Sequence, residues 1–289
     1  MHILITDSGV GGLSVVAYAE RFVRTQGFRE PVRLTFANAA PANDYGYNSM
    51  PTREEKLATF DRFLRNVSER FVPDSIYVAC NTLSVLLPDT PFAARAPIAV
   101  QGIVDTGAAL LLRELEANPR SIAMIFATPT TIDAGTYARI LIERGIAPSR
   151  IVSQACPGLA DTISEDREGT RTQAEIRKWV GIAIGKMEDA HAPVVAALAC
   201  THYGYRKDIF AAAFEEAGIA ATVVNPNERA VDDLFGASPV GSHHEVDVHF
   251  VTRYAIPDAT VDALTFFLSP ISPRTVEAMR NFEHIADLF

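Results

Sequence analysis

Cysteine is scarce in this chain, with three among 289 residues. That number excludes a disulfide-stapled scaffold and fits a reducing compartment, so a cytoplasmic protein is expected. Long apolar runs are also missing. No stretch approaches the ~20 residues that span a bilayer, and the chain enters its first strand without a basic leader or cleavage site. Neither a membrane partner nor an export signal is expected. Positive charge is the minority, 26 basic against 35 acidic residues, and no basic block occurs. A nucleic-acid partner is therefore not expected. The net charge of −9 does not bar an anionic small molecule, because local donors build such a site. What remains is a globular composition, 48% hydrophobic and 21% charged, in a chain long enough for two domains.

Two stretches organise the rest: Tyr77-Val78-Ala79-Cys80-Asn81-Thr82 and Leu198-Ala199-Cys200-Thr201-His202-Tyr203. Each reads as a buried parallel strand ending in a thiol and hydrogen-bonding groups. Ligands of open α/β sheets sit at such carboxyl ends. A single buried cysteine is more often a small hydrophobe than a reagent. Repetition argues otherwise here. Cys80 and Cys200 stand 120 positions apart, and so do the polar strand ends Ser8 and Thr128. A period this long points to two similar halves rather than a solenoid, each giving one thiol to a shared cleft.

Read in order, a first strand to Thr6 leads through Asp7-Ser8-Gly9-Val10-Gly11-Gly12 into a helix. Such a turn offers amides to an anion, although it lacks a full dinucleotide or Walker pattern. A carboxylate is the expected anion, with Ser8 as a further donor. Asp7 either caps the turn or has a chemical task. A strand over 32–36 precedes a polar loop containing Asp44-Tyr45-Gly46. Pro51 is expected to start the next helix, with Leu57, Phe60, Leu64, Val67 and Phe71 on one face. Asp105 reads as the N-cap of a helix over 106–116. Strands over 122–127, 150–154, 194–199 and 221–224 alternate with helices, and an alternating strand over 246–250 precedes two last helical stretches. This alternation predicts α/β domains with parallel sheets.

The segments Thr6-Asp7-Ser8-Gly9-Val10-Gly11-Gly12-Leu13, Val78-Ala79-Cys80-Asn81-Thr82 and Ala199-Cys200-Thr201-His202-Tyr203 resemble the signatures of glutamate racemase, within the cofactor-independent aspartate/glutamate racemase superfamily. Ala127-Thr128 with Thr131, Gly135 and Tyr137, then Ala155-Cys156-Pro157, and later His249-Phe250-Val251-Thr252, resemble further motifs of that family in order. The likeness runs from about residue 2 to 268, and the last twenty or so residues look like an extension. It implies two pseudo-symmetric three-layer α/β domains, one over 1–104 plus 222–289 and the other over 105–221, with the active site in the cleft between them. It also implies exchange of D- and L-glutamate, a wall precursor, with neither pyridoxal phosphate nor metal. Carried over by position, Cys80 and Cys200 are the acid/base thiols, and Asp7 and His202 assist them. Ser8, Asn81, Thr82, Thr128, Thr131 and Thr201 hold the substrate, as does the loop Asp44, Tyr45 and Gly46. Cys156 matches a position that is not catalytic, and Glu165 lies near a family carboxylate. The partner implied is a small amino acid; a homodimer is an option that the residues leave open.

The chemistry accounts for the residue types. Returning an α-proton to the opposite face of an amino acid needs a base and an acid on opposite sides. A thiol with an ordinary pKa near ~8.5 can serve as either. The carbanion must be held by donors to the α-carboxylate. Two departures from the family stand out: Asp44 replaces a proline of the loop, and Gly204 replaces a proline after Cys-Thr-His-Tyr, which is expected to loosen the following helix. Two other readings are open. One is a sister racemase or isomerase acting on aspartate, a hydantoin or another carboxylated substrate. The other is a zinc site using Cys80, Cys200 and His202 with His243, His244 or His249, although a Cys-x-His pair is poor tetrahedral spacing.

Overall fold

A computed structural model describes residues 1–42, 45–236 and 241–289. The first elements are β1 (His2–Asp7), α1 (Leu13–Gln26), β2 (Val32–Asn38), α2 (Arg53–Phe71), β3 (Ser75–Val78), α3 (Asn81–Ser84) and β4 (Ala99–Gly102). Then follow α4 (Val104–Ala117), β5 (Ile122–Ala127), α5 (Pro129–Asp133), α6 (Thr136–Glu143), β6 (Ile151–Ala155), α7 (Leu159–Glu165), α8 (Thr170–Ile184), β7 (Val194–Ala199), α9 (Lys207–Glu216) and β8 (Ala221–Val224). The chain finishes with α10 (Pro226–Phe235), β9 (Val246–Thr252), α11 (Asp258–Leu268), α12 (Pro273–Arg280) and β10 (Glu283–His284). Two compact units divide it, Met1–Ile103 with Asn227–Phe289, and Val104–Pro226.

Each unit is built on a wholly parallel sheet, with strand order β10-β9-β2-β1-β3-β4 in the first and β6-β5-β7-β8 in the second. The run β2-β1-β3-β4 and the run β6-β5-β7-β8 are the same order advanced by four strands. The registers repeat as well. Thr6 lies opposite Val78 in the first sheet and Ala127 opposite Ala199 in the second, an offset of 72 positions in both. The period seen in the sequence is thus a repeat of topology and of register.

Position in the sheet explains the strand sequences. Central β5 and β7 are buried at every residue, and β1 at all but His2, as parallel strands covered on both faces must be. Edge strands β4 and β6 alternate instead. In the first unit α1 and α12 pack against β9 and against each other, and in the second α4 packs against β7 and α8 against β6. Among the described residues no helix is long and apolar enough to cross a membrane.

Three expectations about local structure need correcting. α2 begins at Arg53, not at Pro51, because the Thr52 hydroxyl accepts the Glu55 amide at 3.2 Å and so caps the helix. Asp105 is not an N-cap; it lies inside the first turn of α4, where a carboxylate suits the helix dipole. The polar turn after β5 is itself the short helix α5, entered through Pro129.

The last residues, beyond the stretch that resembles the family, are part of the first unit. β10 adds a parallel strand beside β9, Ile285 and Leu288 are buried, and the Phe289 ring lies 5.2 Å from that of Phe63.

The second unit is centred on Phe126, fully buried between Phe210 and Phe214 at centroid distances of 5.2 and 6.1 Å. Phe126→Ala is expected to lower stability by about 3–5 kcal/mol through the cavity it leaves. Phe266→Ala, at a ring 52% exposed, is expected to change it by about 0.5 kcal/mol or less. Urea unfolding midpoints at constant slope measure both.

Candidate active site

In the first unit the register sets the ends of β1 and β3 side by side, and the chemistry gathers there. Cys80 caps the first turn of α3, its sulfur accepting the Leu83 amide at 3.4 Å. The Ser8 hydroxyl lies 3.0 Å from that sulfur. Asp7 is buried, and its Oδ2 accepts the Gly12 amide at 2.5 Å, while Ser8 donates to its other oxygen at 3.4 Å. Asn81 and Thr82 are buried beside the thiol. Burial pushes the Cys80 thiol well above its ordinary pKa, and the Asp7 carboxylate pushes it the same way, against the pull of the Ser8 hydrogen bond.

The glycine-rich turn is therefore not simply a cradle for an incoming anion. Its Gly12 amide is taken by Asp7, so the capping reading of that carboxylate holds. Gly12 itself is present for space rather than for an unusual φ, since its backbone is right-handed helical. A Cβ there would stand 2.9 Å from the Asp7 Cβ and 3.2 Å from that of Ala79.

The Tyr45 hydroxyl donates to Glu55 at 2.7 Å, which raises its pKa, and the ring is 38% exposed. Its side chain is thus committed to α2. Gly46 has open space where a side chain would be. Asp44 lies outside the described residues. Sequence reasoning passed over Tyr47, which is buried against Phe60. No motif marks it.

In the second unit Thr128 follows β5 and Cys200 follows β7. Thr128 and Thr131 hydroxyls are 3.1 Å apart and buried. Cys200 and Thr201 are buried, and His202 places Nδ1 at 4.0 Å from the Cys200 sulfur. The third cysteine is close by. Cys156 is buried under Tyr203, whose hydroxyl donates to the Cys156 carbonyl at 3.1 Å. Burial, with Cys200 nearby, drives the Cys156 thiol far up, which leaves it an inert packing group. Glu165 is half-exposed at the end of α7, 4.0 Å from Arg171. The buried carboxylate of that region is its neighbour Asp166, which accepts the Thr172 and Gly169 amides at 2.8 and 3.2 Å. Burial raises the Asp166 pKa, but those two amides, with the Thr172 hydroxyl and the Arg171 charge, together hold the carboxyl below its usual range.

Among the described residues no group of three or more His, Cys, Asp or Glu side chains is placed to hold an ion. His243 pairs with Glu245 at 3.5 Å, His249 with Glu283 at 3.0 Å, and His244 meets the Arg24 carbonyl at 3.1 Å. The zinc reading finds no support in these contacts.

No family model matches the chain. Individual relatives do. The glutamate racemase of Stutzerimonas stutzeri is 30% identical over 210 residues, 70% of this chain and 69% of the relative. That of Clostridium acetobutylicum is 30% identical over 209 residues, 70% of this chain and 72% of the relative. The chain belongs to the glutamate racemase family. It is accordingly an isomerase of the racemase class. Solved structures agree on the fold. A Bacillus anthracis glutamate racemase isoform superposes with a TM-score of 0.73 at 20% identity, covering 92% of this chain and 93% of its own. The Francisella tularensis glutamate racemase, crystallised with D-glutamate, gives a TM-score of 0.71 at 19% identity over 99% and 98%.

At position 204, where the resemblance leads one to expect a proline, the chain has a glycine, and the structure supplies a reason. A Cβ on Gly204 would lie 2.7 Å from the side-chain amide of Asn225, which is 3% exposed. The glycine thus makes room for Asn225 rather than merely loosening a helix. Gly204→Ala is expected to cost about 1–3 kcal/mol, as overpacking does. The double variant with Asn225→Ala is expected to be more stable than the sum of the single changes. Strict additivity in a double-mutant cycle by chemical denaturation would remove this explanation.

Proposed function

We propose that this protein interconverts L- and D-glutamate without a cofactor, with Cys80 and Cys200 as its two acid/base thiols, and that its D-glutamate feeds peptidoglycan synthesis. The observation that carries the reading is the equivalence of the two thiols. Each follows the third strand of its unit, beside the end of the first, in sheets of the same order and register. One buried cysteine is unremarkable packing. Two at equivalent strand ends, one with a hydroxyl at 3.0 Å and one with an imidazole at 4.0 Å, have the makings of a matched acid and base. Relatives named glutamate racemase support the substrate.

The reaction balances without an external reagent. One cysteine, as thiolate, takes the α-proton from its face of the substrate and becomes a thiol. The other, as thiol, gives its proton to the opposite face and becomes the thiolate. Net, one proton has left one face, another has arrived on the opposite face, and the enzyme awaits the other enantiomer. The α-proton is too weak an acid for a thiolate unless the developing negative charge is held by fixed donors. Ser8, Asn81 and Thr82 in one unit, and Thr128, Thr131 and Thr201 in the other, are the side chains proposed for this and for the ammonium. Asp7 and His202 are assigned to proton exchange with the cysteine of their own unit.

Cys80→Ala and Cys200→Ala are each expected to reduce racemisation at least 10³-fold, in keeping with the loss of an essential acid/base group. Both variants are expected to fold normally. Cys156→Ala is expected to keep its activity. The assay follows the appearance of the opposite enantiomer, by chiral chromatography, from enantiopure glutamate, aspartate and hydantoins. Turnover of wild-type size in either active-site variant would sink the two-thiol mechanism. Racemisation of aspartate or a hydantoin in place of glutamate would reassign the substrate and leave the mechanism standing.

For His202, support of Cys200 predicts a directional effect in His202→Asn. The two kcat/KM values must fall together, because the enantiomers are at equal energy in water. The asymmetry is therefore expected in the separate kcat and KM values and in the primary isotope effects. Equal isotope effects in both directions, unchanged from the parent, would make His202 a structural residue.

A further inference from the structure

The two units fill one equivalent slot in opposite ways. The strand registers pair Tyr77 with Gln101 in the first unit and Ala197 with Val224 in the second. Tyr77 and Ala197 stand 120 positions apart, as Cys80 and Cys200 do. The next residues of the outer strands, Gly102 and Asn225, are therefore equivalent positions as well. Four residues after the two cysteines stand Ser84 and Gly204. In the second unit the turn supplies the glycine, since a Cβ on Gly204 would lie 2.7 Å from the Asn225 side chain. In the first unit the strand supplies it. A Cβ on Gly102 would lie 2.6 Å from the Ser84 Oγ and 2.9 Å from the Ser84 Cβ. Each unit thus places one polar side chain between its cysteine turn and its outer strand, but from opposite sides.

The hydrogen bonds of Ser84 say what that side chain does. Its hydroxyl is buried at the end of α3 and donates to the Val78 carbonyl at 3.0 Å. The same hydroxyl accepts the amide of Ile103, the first residue beyond β4, at 3.1 Å. That amide also reaches the Val78 carbonyl, at 3.0 Å, while the Ser84 amide donates to the Cys80 carbonyl at 2.8 Å. One residue therefore grips the carbonyl of Cys80 and the carbonyl two residues before it, and ties them to the end of β4. Filling space does not require a hydroxyl used both as donor and as acceptor. The Leu83 amide that reaches the Cys80 sulfur at 3.4 Å belongs to the same turn.

We propose that Ser84 is a positioning residue for Cys80, its hydroxyl clamping the turn that carries the thiol to the ends of β3 and β4. The inference deepens the proposed role of Cys80 and rests on it. Ser84 acts through the backbone and not on the substrate. Proton transfer depends steeply on how the reacting groups are placed, so a loosened turn slows it.

The test compares Ser84→Ala, which removes the hydroxyl, with Ser84→Thr, which keeps it. Amide hydrogen exchange reads the clamp and needs no turnover. The Ser84 and Val85 amides, bonded to the Cys80 and Asn81 carbonyls, are expected to exchange about tenfold faster in Ser84→Ala, as the loss of one buried hydrogen bond implies. The β1 amides are expected to keep their rates. In glutamate racemisation, kcat of Ser84→Ala is expected to fall about tenfold in each direction. Ser84→Thr is expected to stay within about twofold of wild type in exchange and in kcat. Unchanged exchange at Ser84 and Val85 overturns the proposal. Equal acceleration of the β1 amides, or failure of Ser84→Ala to fold, overturns it as well, since the hydroxyl would then support the whole unit. A loss confined to KM does the same, because the turn would then serve Asn81 and Thr82 rather than the thiol. So does a Ser84→Thr variant no better than Ser84→Ala. A wild-type protein without racemase turnover strikes the proposed reaction instead, and the exchange rates then decide the clamp.

Discussion

A thiol kept out of water resists ionisation, and at Cys80 burial is the largest of the forces that hold the proton on sulfur, with the Asp7 carboxylate second. The rest of the first unit can be understood from that constraint. Apolar β1 and β3 bury the strand ends so completely that few polar neighbours reach the sulfur. Those that do are supplied by the fold itself: a hydroxyl from the residue after β1 and an amide from the first turn of α3. A resting enzyme with a protonated Cys80 suits the proposed exchange, which needs one thiol and one thiolate at a time. Burial also strengthens every donor around the thiolate once it exists, because the same low dielectric acts on both.

Asp7 carries the tension in this arrangement. A carboxylate beside a cysteine that must ionise is unfavourable, yet its other duty is plain: it ties the Gly12 amide and so shapes the turn into α1. The two roles are compatible. A carboxylate anchored by a backbone amide stays in place beside the thiol, where it opposes ionisation. The space for this is made by omission, since a side chain at Gly12 would collide with Asp7 and Ala79. Gly204 plays a like part near Cys200, leaving room for Asn225.

Much of this was legible in the sequence because it depends on short-range pattern. Strand ends with a thiol, the 120-residue offset and the alternation of strand and helix are consequences of parallel sheets, whose buried strands must be apolar and whose ends must be polar. What escaped was decided by contacts between segments distant in sequence. Pro51 carries a helix-start signal, but the Thr52 hydroxyl and the Glu55 amide fixed the start two residues later. Tyr47 carried no signal at all, because burial against Phe60 is a property of the folded loop. The choice between Glu165 and Asp166 could not be read either. Adjacent carboxylates differ only in which one the Thr172 and Gly169 amides reach.

The repeat sharpens this distinction between pattern and contact. Topology and register repeat between the units, so both cysteines are delivered to equivalent places by the same rules. Their neighbours do not repeat. Cys80 has a serine hydroxyl and a carboxylate at hand, whereas Cys200 has an imidazole, with a second buried thiol in the background. Equal scaffolds with unequal surroundings are compatible with a reaction between mirror-image substrates. The substrates have the same energy, but the protein that handles them is chiral, and no symmetry obliges the two proposed bases to be tuned by the same groups. Duplicated backbone can fix where two thiols stand, and divergent side chains are then free to set how readily each one gives up its proton.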